Sequence, residues 1–181
     1  NLYEVGQKFY TLSEEDGWNL DIREIEKSID KNTRAIVVIN PNNPTGGVYD
    51  KKTLKELINL AGQRNLLIFA DEIYDEMILE GEMCHIAAMS EEVPVITFNG
   101  LAKNFLAPGW RTGWLAIKDS SGRMKDAKDA IFQLARARLC ASTPQQYAIK
   151  PALQGSREHI TETVKKLKSR RDLIFKRINE I

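Results

Sequence analysis

Three short apolar runs, Ala35–Ile39, 66–70 and 93–98, constrain the fold of this chain more than any other feature. Each is rich in β-branched or large apolar residues without polar alternation, the pattern of a strand buried on both faces of a parallel sheet. Helical patterns separate and follow them. Asp21 is placed to cap a helix reaching about Asp30, with Ile22, Ile25 and Ile29 on its buried side. Asp50 opens a second helix, whose Leu54, Leu57, Ile58 and Ala61 share one face. A short strand is expected at 7–12 and another at 113–117, with further helices at about 123–139, 144–153 and from Glu158 onward. This alternation predicts an α/β fold with a mostly parallel central sheet flanked by helices.

Charge and composition exclude several classes of partner. Lys and Arg total 26 against 25 Asp and Glu, a net charge of +1, which gives no electrostatic reason to bind nucleic acid or an anionic membrane. No apolar stretch is long enough to span a bilayer, and no secretory signal opens the chain. Cys84 and Cys140 stand far apart and outside any Cys/His cluster, so neither a disulfide framework nor a metal site is signalled. These features predict a cytoplasmic domain acting on a small molecule. The 181 residues begin at Asn1 and read as a piece of something longer.

All three apolar runs give way to polar residues at their carboxyl ends. The first leads into Asn40-Pro41-Asn42-Asn43-Pro44-Thr45-Gly46, where two prolines and a glycine enforce a loop. The second ends on Asp71-Glu72-Ile73-Tyr74. The third runs into Asn99-Gly100-Leu101-Ala102-Lys103 and then Pro108-Gly109-Trp110-Arg111-Thr112-Gly113. In open α/β sheets the carboxyl edge is where ligands bind, so the polar residues converge where chemistry is expected.

Taken together and in this order, the three motifs resemble the fold-type I aminotransferases of class I/II, in which the coenzyme lysine is followed eight positions on by an arginine, as Lys103 is by Arg111. The resemblance covers almost the whole chain and implies pyridoxal 5′-phosphate as cofactor. Lys103 would bind it covalently through its amine and later carry a proton. Asp71 would pair with the ring nitrogen, Asn43 and Tyr74 would donate to the phenolic oxygen, and the Arg111 fork would hold the phosphate. Many relatives carry hydroxyl residues just before the lysine; here the positions are Gly100 and Ala102. Individually each residue also has a plain structural reading, as surface lysine, helix cap or turn.

Residues 138–144, Arg-Leu-Cys-Ala-Ser-Thr-Pro, together with Asn99-Gly100-Leu101, look like the bacterial and archaeal alanine (glutamate-pyruvate) branch of the family. Arg138 resembles by position the arginine that, in aspartate aminotransferases, reaches the neighbouring subunit's site; a surface-paired arginine is the alternative. The resemblance implies an amino acid and a 2-oxo acid as substrates and a homodimer for the full-length parent. Residues 1–181 would be the central portion of the coenzyme-binding large domain. The upstream phosphate loop, the stacking aromatic residue and the small domain with its substrate arginine would lie outside them, and the last helix would lead toward that small domain. The isolated segment is then expected to hold the coenzyme weakly and to be inactive. Another reaction on the same coenzyme, such as a β-lyase, and a non-catalytic sensing module are the competing readings. His85 and His159 show no sequence partner that suggests catalysis or metal binding.

Overall fold

The computed structural model describes residues 5–137 and 139–180. Ala35–Ile39 (β1), Leu67–Asp71 (β2), Val95–Gly100 (β3) and Gly113–Lys118 (β4) form one sheet in the order β1-β2-β3-β4. The first three strands are parallel, and β4 returns antiparallel to β3. Register aligns Ile39 with Asp71 and Asp71 with Phe98, so β1 and β2 end level and β3 runs on to Gly100 at the same edge. Because β4 runs the other way, its first residue, Gly113, lies opposite Gly100 at that same edge. This is the mixed α/β architecture that the sequence predicts.

The helices are Ile22–Ser28 (α1), Lys51–Gln63 (α2), Ile86–Met89 (α3), Lys125–Ala137 (α4), Thr143–Gln154 (α5) and Glu158–Ile178 (α6). At α2 the Asp50 carboxylate accepts the Thr53 backbone N–H at 2.8 Å, satisfying a donor the first turn would leave unpaired. The predicted stripe Leu54, Leu57, Ile58 and Ala61 is buried. Asp21 caps α1 in the same way, accepting from the Arg23 and Glu24 N–H groups. That helix stops at Ser28, short of the expected Asp30. The reason is local: the Asp30 carboxylate accepts the Asn32 and Thr33 N–H groups at 2.8 and 3.1 Å, turning the chain away from the helix.

Strand alternation places Ile36, Val38, Ile68, Ala70 and Val95 on one side of the sheet, all buried with Leu54, Leu57 and Ile86 in a common core. Full burial of one such side chain contributes about 1.5–3 kcal/mol. The opposite side differs from expectation. β1 is not buried on both faces, since Val37 is 55% exposed, and across the sheet Phe98 and Leu115 are 36% and 41% exposed. Ile96 on that side is nonetheless 2% exposed, so the open part lies around Val37, Phe98 and Leu115; Phe69 and Phe98 meet each other there with ring centroids 5.9 Å apart.

The expected strand at 7–12 is absent. Leu12 forms only a single antiparallel bridge with Leu20, because Asp21 begins α1 immediately afterward and the ladder has no room to grow. No helix among the described residues is long and apolar enough to cross a membrane. No group of three or more His, Cys, Asp or Glu residues among them is arranged to hold a metal.

Candidate coenzyme site at the carboxyl edge of the sheet

The loop after β1 closes on itself. Asn42 N–H donates to the Gly47 carbonyl at 2.8 Å, Gly46 N–H donates to the Asn42 carbonyl at 2.9 Å, and the Thr45 hydroxyl donates to the Asn42 side chain at 2.8 Å. Gly46 takes a φ of +74°, a left-handed conformation that favours glycine. The loop is anchored below by Asn40, fully buried, whose side-chain oxygen accepts the Tyr49 N–H at 3.0 Å. Asn43 is thereby held outward at the tip, and its Nδ2 lies 3.4 Å from the Tyr74 hydroxyl.

Tyr74 belongs to the turn that follows β2, and Lys103 to the loop that follows β3. Their side chains meet: the Lys103 Nζ stands over the Tyr74 ring, 5.3 Å from its centroid. Such a contact favours the ammonium through the electron-rich face of the ring. Among the described residues no carboxylate approaches the Lys103 amine within ion-pair distance. Asp71, half-buried at the end of β2, accepts the Ile73 N–H at 3.2 Å and has no cationic partner among the described residues.

Arg111 sits between β3 and β4 as the residue closing the short 3-10 turn Pro108–Trp110, with φ of +50°. One guanidinium nitrogen donates to the Pro108 carbonyl at 2.8 Å, and the side chain is otherwise exposed. Direct contacts therefore join Asn43, Tyr74 and Lys103, while Asp71 and Arg111 share their edge without touching them. Arg138 lies outside the described residues.

These groups suit pyridoxal 5′-phosphate. Two donors, Asn43 Nδ2 and Tyr74 OH, are close enough to converge on one oxygen. An unpaired carboxylate, a lysine free of acid partners and an exposed arginine supply the other contacts the coenzyme needs. The missing hydroxyl at position 100 has a steric cause: a Cβ built on Gly100 would lie 2.7 Å from the Thr112 carbonyl oxygen and 2.9 Å from the Gly113 Cα. A serine side chain has no room there, where Gly100 of β3 pairs with Gly113 of β4. A cleft of about 560 Å³ adjoins the site, lined by Asn43, Thr45, Tyr74, Met77, Glu80 and Arg171 among others. Lys103, Asp71 and Arg111 do not line it, so of the coenzyme groups the cleft reaches Asn43 and Tyr74 alone.

Three polar contacts behind the site join residues that no sequence motif pairs. Glu72 is buried, and its carboxylate meets His85 Nδ1 at 2.7 Å and accepts the Ile86 N–H at 3.1 Å. His85 therefore does have an acidic partner, contrary to the sequence reading. Burial pushes the Glu72 carboxyl above the usual carboxylate range, with the His85 and Ile86 hydrogen bonds opposing the shift. Asn104, the residue after Lys103, donates through Nδ2 to the Asp75 carboxylate at 2.5 Å. The available signal for each was adjacency: Glu72 follows Asp71, Asp75 follows Tyr74 and Asn104 follows Lys103.

Comparison with known proteins gives one family. The description Aminotransferase class I and II matches residues 1–181. Glutamate-pyruvate aminotransferase AlaA of Escherichia coli K12 is 40% identical over 176 residues, covering 95% of this chain and 43% of that protein. Alanine aminotransferase of Mycobacterium tuberculosis H37Rv is 39% identical over 175 residues, covering 95% of this chain and 41% of that protein. The solved structure of an alanine aminotransferase from Pyrococcus furiosus superposes with a TM-score of 0.92 at 48% identity, over 95% of this chain and 44% of that one. The chain thus spans less than half the length of these relatives. With its motifs at one sheet edge and its sequence matched from end to end, the chain belongs to the class I and II aminotransferase family.

Proposed function

We propose that these residues form the central, coenzyme-binding part of the large domain of a pyridoxal-5′-phosphate-dependent aminotransferase. The reaction transfers an amino group between an amino acid and a 2-oxo acid, with alanine and glutamate as the first pair to consider and aspartate and glutamate as the second. The observation that carries this reading is the convergence of Asn43, Tyr74 and Lys103 beside Asp71 at the carboxyl edge of the sheet. Similarity to proteins named alanine aminotransferase supports the first pair. A 34% identical relative named probable aspartate aminotransferase keeps the second in play.

When bound, pyridoxal 5′-phosphate supplies an electron sink that makes the substrate's Cα proton removable. Lys103 would hold the coenzyme through Nζ, and its amine is the base that would move the substrate's Cα proton. The Asp71 carboxylate would pair with the ring nitrogen and keep its proton in place. Asn43 and Tyr74 orient the ring by donating to its phenolic oxygen. Arg111 grips the phosphate through its remaining N–H groups, a role Lys could not fill with the same planar fork. Arg138 is assigned to the distal carboxylate of a dicarboxylic substrate in the neighbouring subunit of a homodimer, in a cytoplasmic enzyme.

The test uses the natural full-length protein. Borohydride reduction in the presence of pyridoxal 5′-phosphate, followed by peptide mapping, should place the pyridoxyl group on Lys103; a label on another lysine overturns the assignment. In an unreduced sample of the same protein, turnover of alanine with 2-oxoglutarate should exceed turnover of aspartate and of cystathionine. Preferential cleavage of cystathionine would replace transamination with a β-lyase reaction.

A further inference from the structure

Lys103 and Tyr74 come from separate loops, and their own contact is soft. A nitrogen 5.3 Å from a ring centroid can slide without losing much energy. Something firmer has to fix the separation. The residue after each of them provides it: Asn104 Nδ2 donates to Asp75 Oδ1 at 2.5 Å, joining positions 29 residues apart.

Each turn is also closed by its own backbone hydrogen bonds. Asp75 N–H donates to the Glu72 carbonyl at 3.0 Å and Met77 N–H to the Tyr74 carbonyl at 2.8 Å. On the other loop, Leu106 N–H donates to the Lys103 carbonyl at 3.0 Å and Ala107 N–H to the Leu101 carbonyl at 3.2 Å. The Asp75 to Asn104 bond is the direct side-chain hydrogen bond between the turns; Arg157, at the start of α6, adds an indirect brace, ion-paired with Glu76 at 3.4 Å and 5.0 Å from the Phe105 ring centroid. Consecutive Cα atoms are held about 3.8 Å apart, so fixing Asp75 and Asn104 fixes the backbone under Tyr74 and Lys103.

The chemistry of Asn104 argues against simple filling of space. The residue is 3% exposed, and its side-chain oxygen is buried with no hydrogen-bond partner among the described residues. An apolar side chain of the same shape would avoid that unpaired acceptor. Asparagine at this position therefore gives up stability for one directed bond to a carboxylate, a bond of the stronger, charge-assisted kind. We propose that Asp75 and Asn104 are positioning residues: their bond clasps the two loops and sets the Lys103 amine over the Tyr74 ring, where the coenzyme is to be received. The benefit to coenzyme binding rests on the proposed function; the clasp itself does not.

The experiment reads the lysine directly, without coenzyme. Full-length protein freed of coenzyme is pulse-labelled with acetic anhydride, and mass spectrometry compares Lys103 with Lys55 and Lys118 in the same sample. D75A and N104A should each raise Lys103 labelling relative to those references by roughly two- to fivefold, the range expected for losing a cationic contact with a partly exposed ring. D75N, whose amide oxygen still accepts from Asn104, should stay near the parent. The double variant D75A/N104A should exceed neither single, because both remove one shared bond. Lys103 labelling that follows Lys55 and Lys118 in every variant, even with a lowered melting temperature, would show a merely structural pair and overturn the proposal. Additive effects of the two single changes would do the same. Should N104A fail to fold, D75A at its half-buried position decides alone. Borohydride labelling separates the two readings: a pyridoxyl group elsewhere than Lys103 sinks the proposed function, whereas normal labelling with unchanged acetylation sinks only the clasp.

Discussion

Helix α2 and helix α4 are each 13 residues long and each carries an apolar stripe, yet they bury very different amounts of it. In α2, Leu54, Leu57 and Ala61 are fully enclosed against the sheet and against α1 and α3. In α4 no residue is buried, with Phe132 and Leu134 exposed; α5 buries none either, and α6 only Ile160. The sheet shows the same split between its helix-covered side and the side carrying Val37, Phe98 and Leu115. An amphipathic pattern marks a surface that favours cover, but the energy arrives only when another element supplies that cover.

The sharpest way to break this comparison is to truncate one side chain in each region. Leu57→Ala should cost about 2–5 kcal/mol, through lost transfer energy and the cavity left behind. Phe132→Ala, more than half exposed, should stay within about 0.5 kcal/mol. Denaturant unfolding of the full-length protein measures both. A large loss from Phe132→Ala would mean that α4 is packed in the whole protein and that the contrast belongs to this segment alone.

A smaller effect is expected from glycine substitution on either side of Lys103. At Gly100 an added methyl meets backbone atoms at 2.7 and 2.9 Å, so Gly100→Ala should destabilise by about 1–3 kcal/mol. It should also speed exchange of the Leu101 N–H, which donates to the Thr112 carbonyl at 3.0 Å. Gly109 has nothing within 4 Å of a built Cβ, and Gly109→Ala should be nearly neutral. Equal thermal shifts for the two would show that the β3 and β4 crossing is looser than its distances imply.

Helix caps give the smallest contrast. Asp50→Ala removes a side chain that accepts from the Thr53 N–H and should cost about 1 kcal/mol. Ser142, at the corresponding position of α5, makes no side-chain cap bond, so Ser142→Ala should change stability by no more than about 0.3 kcal/mol. Calorimetry on the pair checks whether the two helices differ at their starts as they do along their faces.

Legibility in the sequence follows the range of the interaction. β1 matches its apolar run residue for residue, and α2 begins after Asp50 with its predicted stripe inward. The carboxylate-bounded turn at Asp30 was less visible, because a side chain competing for backbone donors leaves no periodic mark. The edge that gathers Asn43, Asp71, Tyr74 and Lys103 could be anticipated from motifs that recur at strand ends. The direction of β4 could not, since its few residues suit either orientation and only pairing with β3 selects one.

Alone, the sequence determined most of the strands and the longer helices, though not the segment at 7–12 or the short α3, and which polar residues sit at the strand ends, because those depend on periodicity and capping over a few neighbouring positions. Tertiary structure decided that Val37 faces outward, that Gly100 admits no side chain, that Glu72 meets His85, and that Asn104 reaches Asp75. The last three are contacts between segments apart along the chain, and the first is the lack of one; all are set by strand register and loop closure, which no local pattern encodes.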